Sequence, residues 1–566
     1  TFPNLEDPVW PESYWSQFRY ELEDPVFNEL AGNPAPSHFP DWYSFVRAFG
    51  EHQAYRSATL PLVYNPTAVL RWKQMSRPNF VGACFGFAYS ALLHYGNYRS
   101  VLPRPLGAVG LDDGVRRELF EKQFYQFDRG ALFDHVSQMG TRPRDLVRKL
   151  VENFKEDGKS NRGISIMASD IGHEVVPLKI RRCVKGENER EVFTEIVVWD
   201  SFDPSRERTM TINETRNTLI DGDGLSVFPG PPMDMFIPPY PTLPKAGGTR
   251  GHAAFAGAGW TEVYHRGAAA TQIDVPGRAP RDMHLPDPGA AQDMFPVVGL
   301  TGTVPIVPGY YLDDALAVPV TVDLAGGGSG EAVSVISGNV FFDITHDALA
   351  STALRQRFSP AQGRADIVST SAVTGLSVFA GRTDDDADHA VRLDGLVFTA
   401  ADSLSVIIGP GDPYITIVNP GAEKTAFLEL QRFGAIFARS GRFPDVRLEA
   451  GSTVEIAVGS ADSLRATRIT QRIDRGSDGS TDEEVVLRDY GVVSVPASTT
   501  ALASLEAWPS PLTAGAPLRF RYALAEPAEA RLVIYDLLQR RVAETVPLRH
   551  PAVGSRYEAV VDGPER

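Results

Sequence analysis

The chain has 566 residues, with 55 Lys and Arg against 71 Asp and Glu, and therefore a formal net charge of −16. An acidic surface repels nucleic-acid phosphates and anionic membranes, and no basic run offsets it locally. No stretch approaches the roughly 18 uninterrupted apolar residues of a membrane-spanning helix. These properties exclude nucleic acid as a partner and a membrane span as an anchor. The length predicts about three to four domains.

The first 75 residues are rich in Trp, Tyr, Phe and Pro, with a helical pattern only at 42–50. We predict an N-terminal arm that packs on the domain after it. A pro-segment covering the cleft of that domain is the alternative. The chain begins Thr1-Phe-Pro-Asn without a charged and then apolar leader, as expected of a mature or trimmed protein.

A helix is predicted to start at Cys84, because the apolar residues that follow keep a helical period and Gly96 fits the position after a helix end. The Cys84 sulfur then lies in the first turn, where free backbone N–H groups and the helix dipole favour a thiolate. His94 is ten residues further along the same helix, too far to act as a base for Cys84. We predict a structural role for His94.

Helical patterns follow at 114–124, with Asp113 as the predicted cap, at 131–139 and at 144–155. A buried strand at 163–168 leads into Gly172-His173, and a later strand pattern ends at Asp200. A cysteine on a helix, a histidine on a strand and an aspartate on the next strand supply a nucleophile, a base and an acceptor that orients the base.

The chain has two cysteines, Cys84 and Cys183. A disulfide in a secreted protein is one interpretation. Cys183 lies ten residues beyond His173 on a predicted strand, which is roughly 30 Å at the rise of a strand. A disulfide needs Cα atoms within about 7 Å. With Cys84 beside His173, we predict two free thiols, one functional and one packed as a small apolar group.

Prolines crowd residues 228–247 and predict the end of a domain. Residues 246–495 form short Val, Ile, Leu, Phe and Thr runs broken by Gly, Asp and Pro, which predicts antiparallel β structure. One large sandwich, two smaller ones or a stack resembling a β-helix fit this pattern. No fixed-period repeat is visible, which disfavours the stack. The one helical pattern in this region is 347–357.

Asp474, Asp478 and Asp482 surround a glycine turn and resemble a calcium loop, since oxygen ligands suit a hard cation. The spacing departs from an EF-hand, and a polar hairpin turn is the alternative. Alternate carboxylates at 384–388 allow the same calcium interpretation, with a solvated acidic loop as the alternative. No other cofactor is predicted.

Residues 40–245 are similar to bacterial papain-like (C39/C1-related) cysteine peptidases, through G-x-C-x-G-F-A around Cys84, G-H-x-V at His173 and V-x-D-x-x-x-P at Asp200. The resemblance implies that Cys84 is the nucleophile, His173 the general base and Asp200 the orienting group. It also implies an oxyanion donor upstream of the cysteine, for which Asn79 is the closest candidate and Gln74 the alternative.

Residues 505–542 resemble an Ig-like module of flagellar hook-cap type, related to one that carries a type IX secretion sorting signal. The match consists of Trp508-Pro-Ser-Pro and a later Tyr535-Asp strand–turn–strand pattern, with Gln539 where the pattern usually has Gly. The chain stops at Arg566, before the last strands of such a module. An incomplete sandwich exposes a strand edge. The missing strands are expected to have been cut, to be unobserved, or to be supplied by another chain through strand addition, and the last alternative would make this edge a site for self-association.

The predicted fold is an α+β papain-like domain followed by all-β sandwich domains. The resemblance implies a secreted or cell-surface cysteine peptidase with a protein or peptide substrate; amidase or transglutaminase-like acyl transfer uses the same residues. The alternative is a catalytically inactive scaffold in a surface, adhesin or filament-forming protein. The predicted domains are an arm at 1–75, a catalytic domain at 76–245, a β-rich region at 246–495 and a partial Ig-like module at 496–566.

Overall fold

In a computed structural model of the protein, the described residues are mostly helical up to Asp157 and mostly in β-strands from Ile164 onward. The structure describes residues 27, 30–31, 40–57, 63–76, 83–95, 110–128, 131–132, 138, 141–157, 162–167, 172–185, 191–222, 234–236, 259–267, 269–284, 294–296, 309–313, 319–326, 330–347, 353–383, 387–410, 414–434, 438–458, 467–474, 480–487, 502–508, 518–524, 528–530, 533–535, 541–544, 548–550 and 556–561.

The helices carry recognisable start signals. Asn65 caps one helix through its side chain, with Pro66 in the first position. Asp112, and not the predicted Asp113, caps another by accepting from the Val115 N–H, so that helix begins one residue earlier than predicted. Within the described residues, the helices with defined bounds are α1 Trp42–Phe49, α2 Glu51–Ala54, α3 Pro66–Met75, α4 Cys84–Tyr95, α5 Asp113–Phe124 and α6 Pro143–Asp157, with a 3-10 turn at Tyr125–Phe127.

A six-stranded antiparallel sheet is formed by the strands that follow the helices. The first eight strands in the part of the chain that the structure describes are β1 Tyr55–Ser57, β2 Val63–Tyr64, β3 Ile164–Met167, β4 Gly172–Lys185, β5 Glu191–Asp200, β6 Glu207–Asn213, β7 Thr218–Gly222 and β8 Asp234–Phe236. The order in the sheet is β7-β6-β5-β4-β3-β8. Leu146 and Leu150 of α6 pack on one of its faces, as the predicted apolar stripe requires. Ala88 and Leu92 of α4 pack against Val176 on β4.

The middle of the chain forms one large sandwich of a ten-stranded and a nine-stranded sheet. Val322 and Val406 from the first sheet share a core with Val335 and Val378 from the second. The strands are β9 Trp260–Arg266, β10 Ala270–Asp274, β11 Arg281–Asp282, β12 Met294–Pro296, β13 Gly309–Asp313, β14 Val320–Ala325, β15 Glu331–Ser337, β16 Val340–His346, β17 Ala353–Ser359, β18 Arg364–Ser369, β19 Val373–Thr383, β20 Ala387–Phe398, β21 Ser403–Ile408, β22 Ile415–Asn419, β23 Lys424–Gly434, β24 Ala438–Leu448, β25 Ser452–Val458, β26 Thr467–Ile473 and β27 Glu483–Leu487.

Successive hairpins of this sandwich enter the two sheets alternately. The pairs β15–β16, β19–β20 and β23–β24 lie in the nine-stranded sheet, while β17–β18, β21–β22 and β25–β26 lie in the other. Strands β17, β21 and β25 begin at residues 353, 403 and 452, an interval of about 50 residues. The absence of a visible sequence repeat disfavoured a stack resembling a β-helix, and the region forms a sandwich whose hairpins recur at this interval.

The prediction of a helix at 347–357 was wrong for residues 353–357, because strand β17 runs from Ala353 to Ser359. Leu354 and Phe358 are buried in the sandwich core, whereas Arg355 and Arg357 are exposed. This alternation has the period of a strand, and cross-strand packing outweighs the helical preference of Ala, Leu and Arg.

The nine-stranded sheet is covered on both faces. On β15 and β16, Val335 and Phe342 face the sandwich core, while Ile336 and Phe341 join a second core with the helices. That second core also contains Trp42, and it crosses the predicted boundary at residue 245. The helices, the nine-stranded sheet and the ten-stranded sheet thus form three layers.

Helix α3 attaches the helical layer to this sheet through buried polar contacts. The Arg71 guanidinium donates to both carboxylate oxygens of Glu262, with Nη2 to Oε1 at 2.8 Å. Lys73 Nζ lies 2.8 Å from Asp343 Oδ2. These pairs fix the position of α3 on the sheet.

The C-terminal strands form a three-stranded sheet and two hairpin pairs. They are β28 Leu502–Trp508, β29 Leu518–Leu524, β30 Ala528–Ala530, β31 Val533–Tyr535, β32 Arg541–Glu544, β33 Leu548–His550 and β34 Arg556–Val561. The sheet has the order β28-β29-β34, and the pairs are β30–β33 and β31–β32. The Ig-like module remains a prediction. None of the described helices is long and apolar enough to cross a bilayer.

Candidate active site

The first turn of α4 places Cys84 against β4. Cys84 is a free cysteine and only 2% exposed. Its helix approaches α5 closely at Gly86, where a Cβ atom would lie 2.1 Å from the Leu119 carbonyl oxygen. The Gly86 N–H donates to Gln123 Oε1 at 2.9 Å. Glycine at position 86 and the Gln123 cap together set where the start of α4, and with it the sulfur, lies.

His173 and Asp200 form a buried hydrogen-bonded pair at the matching ends of β4 and β5. Nε2 of His173 lies 2.9 Å from Oδ1 of Asp200, and both side chains have no exposed surface. The Phe202 N–H also donates to Oδ1, at 2.9 Å. The Phe202 ring lies against the imidazole, with ring centroids 4.6 Å apart. The His173 imidazole and the Phe202 N–H therefore both donate to the Asp200 carboxylate, and the Phe202 ring packs against the imidazole.

The environment of Asp200 favours its ionised form. Burial alone would raise its pKa, but the hydrogen bonds from His173 and Phe202 and the charge of Arg208 lower the pKa below its ordinary value. Arg208 Nε lies 3.9 Å from Asp200 Oδ2, and Arg208 Nη2 lies 3.0 Å from Asp203 Oδ2. A carboxylate that accepts from Nε2–H leaves the lone pair of His173 on Nδ1.

The environment of the Cys84 thiol, unlike that of Asp200, disfavours the ionised form. Burial raises the pKa of Cys84 to about 12, and the carboxylates of Glu174 and Asp200 act in the same direction. The backbone N–H groups of Glu174 and Phe85 act in the opposite direction without reversing the change. The sequence predicted that this helix start favours a thiolate, whereas burial of the side chain acts against ionisation of the thiol.

The three predicted triad residues lie in one neighbourhood. The Glu174 N–H that reaches the Cys84 sulfur belongs to the peptide bond after His173, and Asp200 is close enough to influence the thiol. Cys183 also lies on β4, but it pairs in register with Phe193, at the end of the strand away from His173. The Cys183 side chain lies outside the described residues.

Of the two candidate oxyanion donors, Asn79 and Gln74, the structure describes only Gln74. Asn79 lies outside the described residues. Gln74 is on α3 and donates from Nε2 to Ser334 Oγ at 2.8 Å, within the contact with the nine-stranded sheet. The Gln74 amide therefore donates to a residue of the nine-stranded sheet, away from the strand pair that carries His173.

His94, for which a structural role was predicted, is half-buried in the last turn of α4, away from Cys84.

The predicted calcium loops lie in hairpin connections. Asp474 and Asp482 flank the turn between β26 and β27, where the Asp482 N–H donates to the Ile473 carbonyl. Asp478 and residues 384–386 lie outside the described residues. Among the residues that are described, no group of three or more His, Cys, Asp or Glu side chains is arranged to hold a metal ion. Calcium binding remains a prediction.

Sequence reasoning missed Phe202, Arg208, Gln123 and Glu174. Phe202 and Glu174 lie within two residues of predicted triad members, a proximity that could have marked them. Arg208 faces Asp200 only because β6 pairs with β5, with Arg208 opposite Val198. Gln123 meets the start of α4 only because α5 packs on it. These two contacts depend on tertiary structure.

Comparison with protein-family models, with curated proteins and with solved structures finds no match for this chain. The interpretation of the site therefore rests on its geometry. An oriented imidazole and a helix-borne thiol beside the same strand suit nucleophilic acyl transfer once the thiol loses its proton.

Proposed function

We propose that the chain is a cysteine peptidase of papain-like type, secreted or displayed at a cell surface, that acts on protein or peptide substrates. Cys84 is the nucleophile, His173 the general base and Asp200 the residue that orients the base. Amide hydrolysis and transfer to another amine share the same first half-reaction, so both fall within this proposal.

The buried hydrogen bond between His173 and Asp200, next to the strand position that contacts Cys84, is the observation that carries the proposal. A fully buried ionised carboxylate beside an imidazole is costly unless the pair is well satisfied. Here His173, Phe202 and Arg208 all favour the charged carboxylate. Such an arrangement fixes one tautomer of the imidazole and stabilises the imidazolium that forms during catalysis.

The proposed reaction begins with proton transfer from the Cys84 thiol to Nδ1 of His173. The sulfur then forms a bond to the substrate carbonyl carbon, and the C–N bond breaks as His173 returns the proton to the leaving amine. Water, deprotonated by His173, attacks the thioester and releases the acid and the free thiol. The Cys84 N–H at the start of α4 serves as one oxyanion donor, with Asn79 as the second donor.

A catalytically inactive scaffold is the second candidate, and one observation favours it. The thiol is 2% exposed, and burial raises its pKa to about 12, so the resting site carries little thiolate at neutral pH. In that case the papain-like region contributes only to the architecture of a surface or filament-forming protein.

The test is digestion of a proteome-derived peptide library, which offers many cleavage sequences at once, with new amino termini identified by mass spectrometry. We expect the wild-type chain to cleave peptides and Cys84→Ala to abolish cleavage. His173→Ala is expected to reduce the rate by at least about 100-fold, the usual size of a general-base contribution.

Cys183→Ser is the matched control, because Cys183 lies at the far end of β4 from His173, and it should cleave at the wild-type rate. Absence of new termini with the folded wild-type chain, or equal cleavage by Cys84→Ala, would overturn the proposal in favour of the scaffold.

A further inference from the structure

Lys424 is a buried lysine in the large sandwich, at an end where the chain crosses between the two sheets. The connections β20–β21, β22–β23 and β24–β25 each join one sheet to the other. Asp402 lies in the first of these connections, while Asn419 and Lys424 flank the second. The side chains of Lys424 and Asp402 are 0% and 1% exposed, and Asn419 is also fully buried. Lysine is rarely buried this completely, so the cluster needs a specific explanation.

The amine of Lys424 contacts a carboxylate and an amide at the same time. Nζ lies 2.6 Å from Oδ1 of Asp402 and 2.8 Å from Oδ1 of Asn419, and it donates to the Ala422 carbonyl at 2.8 Å. The Phe398 ring lies beside it, with its centroid 5.0 Å from Nζ. Because a C=O bond measures about 1.23 Å, Cγ of Asn419 lies within about 4 Å of Nζ. Reacting atoms in a well-oriented pair start from about 3–3.5 Å, so a small movement would bring the nitrogen to the carbon.

Backbone carbonyl groups set the orientation of the Asn419 amide. Its Nδ2 lies 2.9 Å from the carbonyl oxygens of Ala422, Leu448 and Glu449. Carbonyl oxygens accept from an amide nitrogen but not from an amide oxygen, so Oδ1 faces Lys424. The same carbonyl oxygens are in place to accept from ammonia when it leaves Cγ.

Asp402 is held beside the amine by backbone N–H groups. Those of Ser403 and Ala422 each donate to its Oδ1 at 3.0 Å. A Cβ atom at position 421 would lie 1.9 Å from the same oxygen, so Gly421 leaves the space that the carboxylate occupies. At 2.6 Å the carboxylate is in reach of a proton from Lys424, and burial favours the uncharged pair that results.

We propose that Lys424 and Asn419 form an intramolecular isopeptide bond, with Asp402 as the residue that transfers the proton. The bond joins the end of β22 to the start of β23 and therefore fastens the ten-stranded sheet to the nine-stranded sheet at this corner. The proposal is independent of peptidase activity, because none of these residues belongs to the site around Cys84. A second covalent link between the sheets suits a chain that is exposed outside the cell.

The reaction needs only these three side chains. Asp402 accepts a proton from Nζ, and the lone pair of the neutral amine forms a bond to Cγ of Asn419. The Cγ–Nδ2 bond breaks, and Nδ2 leaves as ammonia with a second proton from Nζ. The ammonia takes the first proton from Asp402 and departs as ammonium, which restores the carboxylate. Asp402 is the weaker electrophile of the two neighbours, since its carboxylate is charged whereas the Asn419 amide is neutral.

The test is tryptic digestion of the unfolded wild-type chain followed by tandem mass spectrometry. Trypsin requires a free lysine amine, so we expect no cleavage after Lys424 and a fragment of residues 393–432 that is lighter than its sequence by one ammonia. Fragment ions should place the loss at the link between Asn419 and Lys424. Pro420 follows Asn419 and has no N–H, so attack by the next backbone nitrogen cannot release this ammonia.

Lys73 is the matched control within the same digest. It forms a buried pair with Asp343 at 2.8 Å, and in the described part of the chain no asparagine is among its hydrogen-bond partners. Trypsin should cleave after Lys73 once the chain is unfolded. Asn419→Ala should permit complete cleavage after Lys424, and Asp402→Ala should leave most chains without the link. The wild-type digest decides the proposal by itself where a variant does not fold.

Complete cleavage after Lys424, with residues 393–424 at their full mass, would overturn the proposal and leave the three side chains as a hydrogen-bonded network. Loss of one water, with Lys424 linked to Asp402, would overturn the assignment of Asn419. A link formed at the wild-type level in a folded Asp402→Ala chain would overturn the role of Asp402.

Discussion

Helices α3 and α4 both place polar groups against a sheet in the interior, but the charges act in opposite directions at the two places. On α3, Arg71 and Lys73 meet the carboxylates of two sheet residues, Glu262 and Asp343. On α4, the thiol of Cys84 is buried near the carboxylates of Glu174 and Asp200 instead. Opposite charges stabilise the position of α3, whereas burial, with the two carboxylates acting in the same direction, raises the pKa of the Cys84 thiol.

The α3 contact shows how buried charges become tolerable. Glu262 accepts from Arg71 and also from the Tyr264 hydroxyl at 2.7 Å. Although burial alone would raise the pKa of Asp343, Lys73 and Arg266 lower it below the ordinary value. Charged groups at this depth need several partners each, since desolvation otherwise exceeds the Coulomb gain.

The largest expected effect comes from breaking the α3 contact on one side. Glu262→Ala leaves the Arg71 guanidinium buried without its carboxylate, so we expect a loss of about 3–5 kcal/mol in the free energy of unfolding. Urea denaturation followed by tryptophan fluorescence measures it. The double variant Arg71→Met with Glu262→Met should recover most of the loss, because two apolar side chains then fill the space.

The exposed pair Asp323–Arg355 is the control for that experiment, with side chains 34% and 63% exposed. Asp323→Ala should cost less than about 1 kcal/mol. An equal cost at both pairs would mean that burial does not distinguish them.

A smaller effect is expected from Gly86→Ala at the start of α4. The new Cβ atom would lie 2.1 Å from the Leu119 carbonyl oxygen, so α4 and α5 must separate. We expect a loss of about 2–3 kcal/mol and faster alkylation of Cys84, because separation admits water to the thiol. Thermal unfolding and iodoacetamide labelling measure the two changes. Stability lost without a change in labelling would show that the thiol environment depends on β4 alone.

The smallest effect concerns Asp41, a buried carboxylate at the start of α1 that accepts from the Ser44 hydroxyl. Burial raises its pKa from 3.8 to about 6, although Ser44 and Arg117 oppose the change. The folded state therefore binds this proton more tightly than the unfolded state. The associated stability is complete below about pH 4 and is lost as the pH rises through 6.

Asp41→Asn should match the wild-type stability near pH 4 and exceed it by about 2 kcal/mol above pH 7, measured by urea denaturation across that range. Asp145→Asn, at a half-exposed carboxylate on α6, is the control and should show no such pH dependence. A constant difference between Asp41→Asn and the wild-type chain at all pH values would contradict the assignment.

Local periodicity made α4, α6 and the β4 strand predictable, because their apolar residues repeat at helical or strand spacing in short windows. The same reasoning failed at 353–357, where residues that favour helices are held in a strand by the sheets around them. The proximity of His173 and Asp200 was predictable, because they lie at matching ends of adjacent antiparallel strands. The catalytic roles of Cys84, His173 and Asp200 stay predictions.

The contacts that define the three layers were not predictable from short windows. Arg71 and Glu262 are 191 residues apart, and Lys73 and Asp343 are 270 residues apart. The sequence near each of these residues does not indicate its partner. The raised pKa of Cys84 was missed for the same reason, because its main cause is burial by elements distant in sequence.

The regular alternation of hairpins between the two sheets has a consequence for how such a protein can change during evolution. Each interval of about 50 residues adds one hairpin to each sheet, so a tandem duplication or deletion of one interval preserves the pairing on both sides. Glu262 on β9 and Asp343 on β16 precede the later units, so the attachment of α3 would survive such a change. A lineage of such proteins can therefore vary in length by whole units while keeping the same helical layer.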